Sequence, residues 1–248
     1  NRQPDYFWLP LLALHMGTRL AEMATLTLDR INRSDDSGIW YADVRMDHAK
    51  NRNSVRGVPI PQAIINLGFL DYVEHVRALG ASALFPNRAA TKTNNLLPSK
   101  ASGDAFAKHL DSVGIKDDKL VFHSFRHTVI SALEGMGTPM ALLQHIVGHA
   151  ALDSAVRSGA LTSKQARSVT LTTYTHTDVA RMNVACPLVP LKECLDRLVP
   201  PIDYKRLKIA AQIVKEHLSK EGGVFRSGWA KVNRPYTAKM LQRLETGA

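Results

Sequence analysis

Disulfide chemistry has almost no material in this sequence. Its 248 residues include two cysteines, Cys186 and Cys194, and no Cys-x-x-Cys pair. A disulfide scaffold is excluded, and a reducing compartment is expected. Long apolar runs are missing too. The longest, "YFWLPLLALHM", is too short to span a bilayer and carries Pro10 in its middle. No secretory signal, internal repeat or low-complexity tract stands out. Acid is also scarce: 22 Asp and Glu face 32 Lys and Arg, for a formal charge of +10. That excess points to a polyanion, nucleic acid before membrane, because no long basic amphipathic helix dominates. A hydrophobic content of 45% excludes wholesale disorder. The chain opens at Asn1 and already in helix-like sequence, as expected of a fragment of a longer protein.

The length suits one large domain with an appendage. Residues 4–16 read as a buried helix, and Thr18 as the N-cap of "RLAEMATL", with Leu20, Met23, Ala24 and Leu26 on one apolar face. Between Gly38 and Ile60 the period changes to two. "GIWYADVRM" and "SVRGVPI" read as a β-hairpin joined by the polar "DHAKNRN". Pro61 opens a helix to about Leu79, and another covers about Ala101–Val113 before Gly114. Ser124 caps a helix to about Glu134. Thr138-Pro139 then starts one with Met140, Leu143, Ile146 and Val147 at helical spacing, ended by Gly148. Residues 150–170 are small and polar, and a shorter helix runs from Tyr174 to about Ala185. Beyond Pro187 and Pro190, two or three basic helices are expected, separated by Pro200-Pro201 and "EGGVFRSG". The fold class is therefore mainly α with a small antiparallel β-sheet.

The stretch "HSFRH" gathers His123, Arg126 and His127 at the mouth of a helix. Three readings compete. His123 and His127, like His145 and His149, are four apart, a spacing that suits zinc. Yet neither pair encloses the glutamate of an HExxH motif, no cysteine lies near, and Arg126 would repel the metal. A second reading has His127 and His145 simply packed in or near the core. The third is a grip on phosphate. A helix start offers unpaired N–H groups and the positive end of its dipole, and an arginine one turn in can fork onto two phosphate oxygens.

Taken in order, "GTRLAEMATL", a lysine-bearing hairpin, "HSFRH", "IVGH" and "TTYTH" resemble the catalytic domain of the tyrosine recombinases, the phage integrase family. The likeness covers roughly residues 4–185. It implies a DNA breaking-and-rejoining fold and carries functional positions over one at a time. Arg19 matches the first arginine of the family and Glu22 the acidic residue that steadies the site. Lys50 matches the hairpin lysine, placed by Ser54, Arg56, Val58 and Pro59, with Arg52 the substitute in a shifted register. His123 and Arg126 match the HxxR pair, His149 the histidine after a helix-ending glycine, and Tyr174 the nucleophile.

Those residue types suit the implied chemistry. Cationic and imidazole donors offset the charge that grows on a phosphodiester under attack. A tyrosine, with a pKa of about 10, attacks only with a base or cationic field to help it. The phosphotyrosyl product keeps the bond energy, so neither cofactor nor metal is implied. The resemblance casts Lys50 as general acid, His123 as base or proton relay, and Arg19, Arg126 and His149 as the phosphate clamp. It further implies double-stranded DNA as partner, a homo-tetramer on DNA, and a cytoplasmic, nucleoid-associated place in a bacterium or phage-infected cell.

The chain departs from the family in three ways. His149 and Tyr174 stand far apart, which implies an insertion at about 152–170. The tail is long, which divides the chain into a catalytic domain at 1–185 and a basic helical extension at 186–248. This extension could dock on a neighbouring subunit, contact DNA, or cap the core. The family's N-terminal DNA-clamping domain is expected to be missing ahead of Asn1. A type IB topoisomerase and a catalytically impaired DNA-binding relative are the rival readings, with a metalloenzyme third.

Overall fold

The computed structural model describes residues 3–44, 55–86, 98–117, 119–148 and 185–220. The elements run α1 (Pro4–Met16), α2 (Leu20–Ala24), a 3-10 turn (Leu28–Arg30), β1 (Ile31–Arg33), β2 (Trp40–Val44) and β3 (Arg56–Pro59). They continue with α3 (Gln62–Asn66), α4 (Phe69–Ala78), α5 (Pro98–Ser112), α6 (Ser124–Gly135), α7 (Met140–Val147), α8 (Ala185–Asp196) and α9 (Tyr204–Lys220). The expected class, mainly helical with a small antiparallel sheet, is what forms. Lys50, Arg52, His149, the 152–170 stretch, Tyr174 with its expected helix, and everything from 221 onward lie outside the described residues.

A helix that is apolar all round belongs inside, and α1 is one. Trp8, Leu9, Leu11, Leu12, Ala13 and Met16 are buried on several of its sides, and α2, α3, α5, α6 and α9 pack around it. The rings of Trp8, Phe69 and Tyr72 meet at centroid distances of 5.1 to 6.2 Å and tie α1 to α4. The chain leaves α1 through Gly17 at φ +62°, and a Cβ there would lie 3.0 Å from Val129 Cγ1 of α6. Only glycine allows both that backbone and that approach.

The sheet has the order β1-β2-β3, antiparallel throughout. Ala42 faces Val58 and Val44 faces Arg56 across the β2–β3 pair. Ala42, Val44 and Val58 are buried. Strand alternation therefore sets the Arg56 side chain on the same inward face as Val58. Outside the sheet, α8 packs against β3 and α7, while α9 lies on α1 and α4. Leu191, Cys194, Leu195, Leu198 and Ala211 join the same hydrophobic core as α1. The described part of the segment read as an appendage is thus built into the core.

Several local expectations need correction. Helix α2 starts one residue late: its N-cap is Arg19, not Thr18. The helix expected from Pro61 to Leu79 is two helices, because Gly68 at φ +93° turns the chain between them. A third strand, β1, pairs with β2; its three residues are too few for period two to show. Helix α8 runs straight through Pro190, at the loss of one backbone hydrogen bond near its first turns. Met140, expected on an apolar face, is exposed.

Candidate active site

Helix α6 begins with its neighbouring turn already closed. His123 is the N-cap and has helical backbone angles, so Ser124 is not the cap. The Ser124 hydroxyl instead accepts from Val121 N–H at 3.2 Å and donates to the Lys119 carbonyl at 3.3 Å. The first N–H groups are also in use: Ser124 donates to Val121, Phe125 to Phe122 and Arg126 to His123, at 2.9 to 3.3 Å. An anion here would find few free backbone donors. Any grip on phosphate must come from side chains, which corrects the helix-start argument.

Those side chains do converge. Glu22, at the third position of α2, is buried, and its Oε2 accepts the Arg19 backbone N–H at 2.8 Å. Its Oε1 accepts Arg19 Nη1 at 2.7 Å. From β3, Arg56 donates through Nη1 and Nη2 to both oxygens of the same carboxylate, at 3.1 and 3.0 Å. Burial alone would push the Glu22 carboxyl up. The Arg56 charge and hydrogen bonding, joined by the backbone and side-chain hydrogen bonds of Arg19, outweigh this and hold it below its ordinary value.

The C-terminus of α7 supplies the other half of the frame. A helix end leaves carbonyls without intrahelical donors and carries the negative end of the dipole, so cations settle there. Three arginines from three elements take three successive carbonyls. Arg56 Nε donates to Ile146 at 2.9 Å. Arg126 Nη2 donates to Val147. Arg19 Nη2 reaches Gly148 at 3.4 Å. Arg126 Nη1 also donates to the Gly17 carbonyl at the end of α1, at 2.7 Å. Gly148 has φ +61°, and a Cβ there would fall 2.6 Å from Arg56 Nη1. The Arg56 guanidinium occupies the space a side chain would need.

Burial and like charge act together on the arginines of this cluster. Arg126 is 1% exposed, and among the described residues its guanidinium donates to the Gly17 and Val147 carbonyls, not to carboxylates. Burial, then the charges of Arg19 and Arg56, push its pKa down to about 10, against the pull of Glu22. His123, exposed beside it, is held below the ordinary imidazole value by partial burial, then by Arg126, His127 and Arg19. A neutral imidazole at pH 7 can take or pass a proton. Its ring meets that of His127 edge to face at 5.0 Å.

The structure therefore brings Arg19, Glu22, His123 and Arg126 to one place. Lys50, His149 and Tyr174 cannot be placed, since they lie outside the described residues. Sequence reasoning used Arg56 only as a landmark for Lys50 and missed its place in the cluster; the available signal was its phase with Val58 and Ile60. His127, read as a core residue, is exposed, whereas His145 is half-buried against β3 and hydrogen-bonds the Gly57 backbone. Among the described residues no group of three His, Cys, Asp or Glu gathers to hold a metal ion. Tyr204, another tyrosine that follows His149 in the sequence, is occupied elsewhere. His15 Nδ1 meets the Leu11 carbonyl at 2.7 Å, so its Nε2 accepts from the Tyr204 hydroxyl at 2.8 Å.

No significant match appears among curated proteins or solved structures. A profile of the phage integrase family matches residues 6–158. That span takes in Arg19, Glu22, Lys50, Arg56, His123, Arg126 and His149, and stops short of Tyr174. It is more than half of the sequence, and it holds the whole arginine cluster: the chain belongs to the phage integrase family.

Proposed function

We propose that this chain is a site-specific DNA recombinase that cleaves and rejoins DNA through a 3′-phosphotyrosyl intermediate. The observation that carries the reading is the gathering of Arg19, Arg126 and His123 beside the C-terminus of α7: like charges held this close would be relieved by an anion. A phosphodiester brings one negative charge and gains a second as the pentacoordinate state forms, so the cluster would bind the transition state more tightly than the ground state.

In this reading Arg19, Arg126 and His149 hold the non-bridging oxygens. Tyr174 attacks phosphorus, its phenolic proton passes to neutral His123, and the bond to the 5′ oxygen breaks. Lys50 protonates that oxygen. The reverse sequence rejoins the strand and restores both groups, so no cofactor is consumed. Glu22 fixes the Arg19 guanidinium. Residues 1–185 would carry the catalytic residues, with an insertion at 152–170, and the basic extension at 186–248 would complete their core. Two duplexes present four strands, one tyrosine to each, so the working assembly would be a tetramer on DNA. Among the described residues no helix is long and apolar enough to cross a membrane.

The test uses nicked duplexes of randomised sequence, in EDTA, with adducts isolated under denaturing conditions. Wild-type protein should form a covalent adduct, and Tyr174→Phe should abolish it while DNA binding survives. An adduct that persists in Tyr174→Phe moves the nucleophile to another residue. Relaxation of any plasmid without sequence preference would favour a topoisomerase.

A further inference from the structure

Arg56 is engaged on every side of its guanidinium by groups of the scaffold. Its Nη1 and Nη2 are spent on Glu22 and its Nε on Ile146, with the side chain 2% exposed. We infer that Arg56 is a positioning residue: it locks β3, the Glu22 carboxylate and the C-terminus of α7 into one rigid frame, and through Glu22 it sets the Arg19 guanidinium. This inference rests on the recombinase reading for its catalytic consequence.

Three observations support it. Arg56 lies on the inward face of β3, opposite Val44 and in phase with Val58, where packing alone would favour a hydrophobe. A buried guanidinium is retained at such a site when its geometry is used, and here all the bonds described above are planar-fork contacts that lysine cannot reproduce. Second, Gly148 leaves open the volume the guanidinium fills. Third, the carbonyls of Ile146, Val147 and Gly148 hold Arg56, Arg126 and Arg19 in consecutive order. A shift of Arg56 would therefore move the acceptor of each of its neighbours. Displacements of about 1 Å in a catalytic frame cost roughly a hundredfold in rate.

The charged and titratable groups around Glu22 are Arg19 at its own helix cap, Arg56 from β3, and Arg126 and His123 from α6. With Arg56 gone, burial would dominate and the carboxyl would rise.

Two readouts test the inference on the full chain. The first needs no activity: the Glu22 carboxyl is titrated by carbon-13 NMR. Arg56→Met should raise its titration midpoint clearly above that of the wild type, and Arg56→Lys should restore part of the difference. The second is single-turnover cleavage of a nicked duplex recovered from the adduct library. Arg56→Met should cleave roughly a hundredfold more slowly with DNA affinity nearly unchanged, and its rate should fall off at higher pH on the acid side than wild type. Arg56→Lys, which keeps charge and bulk, should fold normally and still cleave roughly tenfold slowly; it carries the test if Arg56→Met is unstable. An unmoved Glu22 midpoint overturns the inference, and so does wild-type cleavage by a folded Arg56 variant. Should wild-type protein form no adduct, the recombinase reading falls, while the titration still decides whether Arg56 sets Glu22.

Discussion

At the scale of single residues, Arg126 has a structural task and, in the proposed recombinase, a chemical one. Its Nη1 holds the end of α1 and its Nη2 the end of α7. Arg126→Ala would leave two buried carbonyls without these donors. At about 1–2 kcal/mol for each unsatisfied acceptor, the variant should lose about 2–4 kcal/mol of stability. Its cleavage rate should also fall by at least roughly a hundredfold. Urea denaturation and single-turnover cleavage check the two losses separately; unchanged stability would mean that water or another donor satisfies those carbonyls. Arg126 was legible in the sequence for a local reason, one turn into a helix beside His123, whereas Arg19 and Glu22 were legible only through the family resemblance of "GTRLAEMATL". Arg56 was not legible as a site residue. Its contacts lie 34 residues back and 90 residues forward, and they depend on how α7 docks on β3, which no local pattern records.

At the scale of elements, the junction of α7 with β3 carries a pH dependence. Burial, then the Arg56 charge, push the His145 imidazole down to about 4, opposed by its hydrogen bond with the Gly57 backbone. The folded chain thus refuses a proton that the unfolded chain accepts at about pH 6.5. Stability from this group is complete above that pH, falls as the pH drops toward 4, and then levels. The total is about 3 kcal/mol. Glu22, whose folded value is depressed, adds a loss of the same sign at lower pH. Denaturant midpoints measured across this range should fall in wild type and fall less in a folded His145→Gln; parallel slopes would remove His145 as the cause. The helices themselves were readable from period and glycine stops. Their caps were less so, because Arg19 and His123 occupy cap positions that residue preference assigns to Thr18 and Ser124.

At the scale of the whole molecule, the composition shift after Pro187 invites a boundary that packing does not respect. Leu191, Leu195 and Leu198 are fully or almost fully buried, with exposures of 0%, 0% and 6%, in the core built around α1. Removing 186–248 would bare the faces of β3, α7, α1 and α4 that α8 and α9 cover. The truncated chain is expected to be poorly soluble, or to melt at least about 10 °C lower, since each large buried side chain lost costs about 2 kcal/mol. Thermal melts of the two chains decide this, and equal midpoints would show that 1–185 folds alone. Charge is legible at this scale and packing is not: Lys205, Arg206 and Lys208 sit on the surface of α9, whereas the buried leucines of α8 tie the segment to the core.

The double hold of Arg126 on the ends of α1 and α7 has a consequence for genetics. A lesion at this position cannot report on chemistry alone, because the same guanidinium fastens two helices of the scaffold. Alleles that silence strand exchange while sparing abundance in the cell should instead turn up at Arg19, whose side chain is 22% exposed and whose loss leaves the α1 carbonyl with its donor.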